Sequence, residues 1–162
     1  MGIFHERRPL LDPNAYDKVL KRCILLNNLS EGKRIHSHLI KTGVLHSIFL
    51  GNRLVEMYAK LGNLADARNV FDRMPMRNVF SWNTMIGGYF KCDSVDHARE
   101  LFEKMPERDG VSWNQMIAGY DRYGRPEEAL NHYWHMLAEG ITPSTFTFAS
   151  VFLGCIGLVE LV

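Results

Sequence analysis

From Pro13 onward, apolar residues recur at the three-to-four-residue spacing of amphipathic helices rather than the alternation of strands. Tyr16, Val19, Leu20 and Cys23 make the first stripe, and Asn27-Asn28 breaks it. Ser30 followed by Glu31 reads as the N-cap of a second helix through Ile35, His38 and Leu39, which Gly43 stops. Leu54, Val55 and Tyr58 then lead to a Gly62-Asn63 turn and a stripe of Ala67, Val70, Phe71 and Met74, closed by Pro75. Ile86, Tyr89 and Phe90, a Cys92-Asp93-Ser94 turn, and Ala98, Leu101, Phe102 and Met105 repeat the scheme. In the next unit Pro126 opens a helix at N1, where a missing N–H is harmless. Ala129, Leu130, Tyr133 and Met136 face its core and Gly140 ends it.

The helix pairs are copies. Ser81-Trp82-Asn83-Thr84-Met85-Ile86-Gly87-Gly88-Tyr89 returns 31 residues later as Ser112-Trp113-Asn114-Gln115-Met116-Ile117-Ala118-Gly119-Tyr120, with Asn52 and Tyr58 marking a fainter copy 31 residues upstream. Ala67-Arg68, Val70-Phe71 and Met74-Pro75 recur as Ala98-Arg99, Leu101-Phe102 and Met105-Pro106. A fixed period of this length signals stacked repeats whose neighbours supply one another's core. The expected fold is therefore all-α, a right-handed α-solenoid of helix–turn–helix units. Residues 1–12 read as an irregular lead-in. The divisions expected are 13–47, 48–78, 79–109 and 110–144, with an incomplete unit at 145–162. Its last helix would leave Val151, Phe152, Ile156, Leu158 and Val159 uncovered, so the chain is expected to be a fragment of a longer array.

Charge changes this picture little. Lys plus Arg, 19, balances Asp plus Glu, 18. Residues 13–47 carry six basic and two acidic side chains, whereas 79–109 carry four against six and 110–144 two against four. A basic first third would help attract a polyanion, but a solvated helix face is the better explanation. Cys23, Cys92 and Cys155 are far apart with no C-x-x-C pair, which argues against zinc and against a disulfide framework. No apolar run approaches membrane-spanning length, so no membrane partner is expected. The first dozen residues are too short and too acidic for a transit peptide.

Val111-Ser112-Trp113-Asn114-Gln115-Met116-Ile117-Ala118-Gly119-Tyr120, the Met-Pro-x-Arg-Asn/Asp endings at 74–78 and 105–109, and Glu127-Glu128-Ala129-Leu130 resemble the pentatricopeptide repeat family over residues 13–162. Unit lengths of 35, 31, 31 and 35 resemble its plant-type PLS subclass: a long motif (13–47), two short motifs (48–78, 79–109), a standard motif (110–144) and the start of another long one. Glu31 to Gly43 resembles the second helix of a long motif.

The resemblance implies single-stranded RNA binding, one base per repeat, in organellar RNA processing or in recognition of C-to-U editing sites, within a mitochondrion or chloroplast. Exposed Watson–Crick edges of single-stranded bases suit reading by one or two polar side chains. The family's first reader, the fifth motif residue, maps to Asp17, Asn52, Asn83, Asn114 and Ala149. The second, the last motif residue, maps to Ser47, Asn78, Asp109 and Ser144. The second motif residue wedges between bases: Asn14, Phe49, Phe80, Val111 and Phe146, where an apolar or aromatic surface stacks without regard to base identity. The family's pairing rules give C or U for Asn52/Asn78, U for Asn83/Asp109, and C over U for Asn114/Ser144, hence 5′-Y-U-C-3′. Asp17/Ser47 and Ala149 stay unread. Lys60, Lys91 and Arg122, 31 residues apart, fall where the family contacts phosphates.

Each residue also has a plainer reading. Trp82 and Trp113 suit repeat packing better than base platforms, Met74, Met105 and Met136 are core, and Asn52, Asn83 and Asn114 would serve as helix N-caps. Editing by a zinc deaminase needs H-x-E with C-x-x-C. Neither occurs, so a deaminase or editing factor would act in trans. His36-x-His38 splits across helix faces, and His132 and His135 lack a third ligand. No catalysis, cofactor or metal is expected. The rival readings are a protein-binding helical scaffold and a truncated product without activity.

Overall fold

The computed structural model describes residues 12–43 and 47–151. The lead-in 1–11, Cys155, and Phe152, Ile156, Leu158 and Val159 of the expected uncovered face lie outside the described residues. Eight helices are placed, and helix begins again at 145 and is described to 151. They are α1 (Pro13–Leu25), α2 (Leu29–Thr42), α3 (Ile48–Lys60), α4 (Leu64–Arg73), α5 (Val79–Lys91), α6 (Val95–Glu103), α7 (Gly110–Arg122) and α8 (Pro126–Ala138). No strand occurs among the described residues. The fold is an all-α helical repeat.

The helices group into two compact units, residues 1–76 and 77–162. In the first, α1 packs on α2 and α3, α2 on α3, and α3 on α4. Its core takes Tyr16, Leu20, Cys23, Ile35, Leu39, Leu54, Val55, Tyr58, Ala67, Val70, Phe71 and Met74. Val19 and His38 differ from expectation and stay exposed. They stand at the margin of their stripes, where a 100° helical step turns the side chain out of the contact. In the second unit α5 lies beside both α6 and α7, and α7 beside α6 and α8. Ile86, Tyr89, Phe90, Ala98, Leu101, Phe102, Met105, Ala129 and Met136 are buried there as the pattern requires, with Leu130 and Tyr133 half-buried. Burying one such side chain fully contributes about 1.5–3 kcal/mol. That is why stacking, rather than helix propensity, holds nine- to fourteen-residue helices together.

Turn chemistry keeps the period. Between the two helices of each pair one residue is left-handed: Asn27 (φ 50°), Gly62 (φ 75°), Asp93 (φ 58°) and Gly124 (φ 64°). Asn and Asp substitute for glycine because their short polar side chains tolerate that region. The expected cap at Ser30 is displaced. Asn28 is the N-cap of α2, its Oδ1 accepting the Glu31 N–H at 3.1 Å, and Ser30 lies inside the first turn. Asn63 caps α4 in the same way through Asp66, so the pattern Asn-Leu-x-Glu/Asp marks both starts.

Candidate functional site

α3, α5 and α7 each begin directly after the last residue of the preceding motif, so Ser47, Asn78 and Asp109 are their N-caps. Asn78 and Asp109 form capping boxes with Ser81 and Ser112. The asparagines Asn52, Asn83 and Asn114 are the fifth residues of these helices, and their alternative role as N-caps falls away. Phe80 and Val111, at the second position, share a helix face with Asn83 and Asn114 three residues on.

Because α5 lies beside α7, the cap of α7 reaches the fifth residue of α5. Asn83 Nδ2 donates to Asp109 Oδ1 at 3.3 Å across 26 residues of sequence. The same Oδ1 accepts the Ser112 N–H and Ser112 Oγ–H, both at 2.8 Å. Burial works against the Asp109 carboxylate, but the Ser112 and Asn83 hydrogen bonds hold its pKa below the ordinary value. Asn83 Oδ1 is buried without a hydrogen-bond partner. The next pair repeats the meeting: Asn114 Nδ2 donates to Ser144 Oγ at 3.3 Å. Here, however, Thr147 Oγ1 also donates to Asn114 Oδ1 at 2.5 Å.

Beside Asn114 lies a groove of about 400 Å³, walled by Val111 and Phe146 and bounded by Gly87, Gln115, Ala118 and Arg122. Val111 and Phe146 are 54% and 57% exposed. The groove therefore offers apolar walls, the amides of Asn114 and Gln115, and one cation.

A family model described as "PPR repeat" matches residues 52–79 and 80–109, and one described as "PPR repeat family" matches residues 108–157. The chain belongs to the pentatricopeptide repeat family. Pentatricopeptide repeat-containing protein At2g13600 of Arabidopsis thaliana is 54% identical over 152 residues, 93% of this chain and 22% of that protein. At3g57430, chloroplastic, from the same plant, is 31% identical over 150 residues, 91% of this chain and 13% of that one. The chain thus spans 22% or less of these two relatives. Maize PPR10 superposes with a TM-score of 0.76 at 21% identity, over 88% of this chain and 22% of PPR10. The PPR domain of Arabidopsis protein-only RNase P 1, solved with tRNA, gives 0.72 at 16%, over 93% and 84%.

Within this pentatricopeptide framework the residues singled out by sequence fall into two groups. Asn83 with Asp109, and Asn114 with Ser144, come together. Phe80, Val111 and Phe146 stand exposed, as does Phe49 at 38%. In the N-terminal unit the corresponding side chains are tied up. Asp17 pairs with Arg53 at 2.7 Å and Lys21 at 2.8 Å. Arg53 also pairs with Glu56 and lies over the Phe49 ring, 5.2 Å from its centroid. Glu56 in turn holds Lys60 at 2.7 Å. Burial opposes its charge, but hydrogen bonds from Lys60 and Arg53 keep the Glu56 carboxyl below its usual range. Lys60 is thus a partner in an ion pair, not an uncommitted phosphate ligand. Lys91 and Arg122 are exposed at the ends of α5 and α7.

Trp113 is 3% exposed and meets Phe102 edge-on at 4.8 Å, so it packs rather than presents a platform. His132 lies among Phe102, Trp113 and Tyr120, its Nδ1 2.9 Å from the Glu128 carbonyl oxygen. Sequence reasoning missed the third motif residue. Ser81, Ser112 and Thr147 each stand two before a fifth residue and are buried. The repeated Ser-Trp-Asn was the available signal; that the hydroxyl engages the preceding motif's last residue was not readable from it.

Proposed function

We propose that this chain binds single-stranded RNA along its first helices, one base per repeat, with a core preference 5′-Y-U-C-3′. The groove between Val111 and Phe146 carries the reading. Two apolar walls suit a base stacked between them, Asn114 and Ser144 supply hydrogen-bonding groups at its edge, and Arg122 answers the backbone charge. PPR10, similar in fold, has been solved with an 18-nt psaJ RNA element, which supports the same use of the fold here. Asn83/Asp109 would read U and Asn52/Asn78 a pyrimidine, with Lys91 and Arg122 as phosphate contacts. Asp17, held by Arg53 and Lys21, would read nothing.

The finer reading follows from the unit lengths. A long motif at 13–47, short motifs at 48–78 and 79–109, and a standard motif at 110–144 fit the PLS subclass. They fit a role in organellar RNA processing or in recognising C-to-U editing sites, the deaminase acting in trans. Relatives named mitochondrial or chloroplastic favour those compartments.

Fluorescence anisotropy at low salt tests the proposal. Labelled RNA with a central C-U-C is compared with C-A-C and C-G-C, for the wild type and an Asn83→Thr/Asp109→Asn variant. The wild type prefers C-U-C, and the variant shifts toward C-A-C. Equal binding of all three RNAs by a helical, folded wild type sinks base reading and favours a protein-binding scaffold.

A further inference from the structure

The two well-formed polar pairs differ in one respect that their sequences do not announce. In both, a buried hydroxyl at the third motif position bonds the N-cap that partners the asparagine. Ser112 is one, Thr147 the other. Ser112 Oγ accepts the Asp109 N–H at 3.3 Å and donates to Asp109 Oδ1 at 2.8 Å. A carboxylate is the strongest acceptor within its reach, and a hydroxyl has a single proton to give. Asn83 Oδ1 therefore keeps no partner. Thr147 Oγ1 likewise accepts the Ser144 N–H, at 2.8 Å. Ser144 brings no carboxylate, and the threonine proton goes to Asn114 Oδ1 at 2.5 Å.

We propose that Thr147 is a specificity-determining residue for the base met by Asn114, because its hydroxyl occupies the amide oxygen and leaves that asparagine only a donor. The inference rests on the proposed reading that a base enters the groove beside Asn114. An asparagine amide has one acceptor oxygen and two N–H donors. At Asn114 the oxygen is engaged by Thr147 and one N–H by Ser144, which leaves one N–H to offer a ligand's edge. Cytosine presents a bare ring nitrogen there and is satisfied. Uracil presents N3–H, which finds no free amide oxygen and loses its hydrogen bond with water without replacement. At Asn83 the buried oxygen has no such partner, and a base edge that reaches it finds an acceptor for that same N3–H. The third-position hydroxyl thus sorts cytosine from uracil according to whether the neighbouring cap consumes its proton.

The test uses the full chain and labelled RNAs carrying C-U-C or C-U-U, with C-A-C as control for the base met by Asn83. Thr147→Val keeps the shape and removes the hydroxyl; Thr147→Ser retains it. The wild type and Thr147→Ser prefer C-U-C over C-U-U. In Thr147→Val the preference falls by about fivefold or more, one hydrogen bond's worth, chiefly because C-U-U binds better. The preference for C-U-C over C-A-C persists in that variant, which a misfolded protein would not preserve. If Thr147→Val keeps the wild-type ratio while Asn114→Ala loses it, Thr147 does not set specificity, although the groove still reads a base. If the wild type ignores the third base and Asn114→Ala binds as the wild type does, the reading of the groove fails and the inference with it.

Discussion

Asp17 in α1 and Asn83 in α5 are both the fifth residue of a first helix, yet their surroundings engage them in opposite ways. Asp17 is enclosed in a chain of charges that runs from Lys21 through Arg53 and Glu56 to Lys60, with the Arg53 guanidinium over Phe49. One network ties down the fifth and second motif positions together with Lys60. Asn83 donates to its cap partner Asp109, keeps a buried amide oxygen without a hydrogen-bond partner, and has Phe80 exposed three residues before it. A repeat position grants the opportunity to meet a ligand. Whether a side chain is free to do so depends on which charges its neighbours bring, and an aspartate attracts arginine where an asparagine does not.

The contrast can be broken most severely by removing the packing that holds the C-terminal pairs in place. Phe102 touches Trp113 and His132 and underlies Arg108. Phe102→Ala should cost ~3–5 kcal/mol in urea denaturation, and preference among C-U-C, C-A-C and C-G-C should vanish with the fold. Retained preference in a destabilised protein would mean that reading does not need this geometry.

The contrast is sharpened next by paired substitutions. Asn83→Ala should remove ~1–3 kcal/mol of discrimination at the U position. Asp17→Ala should leave base preference untouched and lower stability by about 1 kcal/mol, since Arg53 keeps Glu56. A change of base preference in Asp17→Ala would refute the idea that its ion pairs silence it.

Acid should act on both regions alike. Burial lowers the pKa of His36, with Asp66 pulling it up and Arg73 down, and burial likewise lowers that of His132, against the Glu128 carbonyl. Tyr58, hydrogen-bonded to His36, has its hydroxyl pushed up to about 12 by burial and Asp66. Both imidazoles are neutral when folded at pH 7, while the unfolded chain takes up protons near pH 6.5. Stability is therefore full above that value and declines as pH falls below it. Thermal melts at pH 7.5 and 5 should show the drop, and His132→Gln should lessen it. A flat profile would place both rings in water.

The smallest effect concerns salt. Arg122→Ala should flatten the salt dependence of RNA binding by about 0.7 in the log–log slope, the share of one single-strand phosphate contact. Lys60→Ala, which removes a side chain already paired with Glu56, should flatten it less. Equal slopes for the two variants would erase the distinction between a committed and a presented cation.

Much of the fold was legible because one signal was written several times. The 31-residue offset, the apolar stripes and the turn at Gly62 need only local rules, and they appear in the helices observed, Val19 and His38 apart. The cap of α2 was misplaced by two residues because Asn28 and Ser30 are both good caps and only geometry chooses between them. The candidate site was legible as positions, not as chemistry. That Arg53 reaches Asp17 across 36 residues, or that Thr147 reaches Asn114 across 33, depends on which helices lie side by side. Periodicity says that helices stack. It does not say which proton a hydroxyl will give away.

One feature of helix geometry reaches into heredity. Asn78 and Asp109 start α5 and α7, Ser144 stands in the same relation to the helical run from 145, and Asp109 and Ser144 also touch an asparagine of the preceding first helix. Asn, Asp and Ser cap helices about equally well, whereas Ala in their place costs about 1 kcal/mol. Mutations among the three can therefore drift through a lineage and change what the neighbouring amide offers while the fold barely registers them. Bulky or apolar replacements would weaken the helix start whatever the neighbouring amide meets. The choice of side chain at this place is thus constrained by the start of a helix.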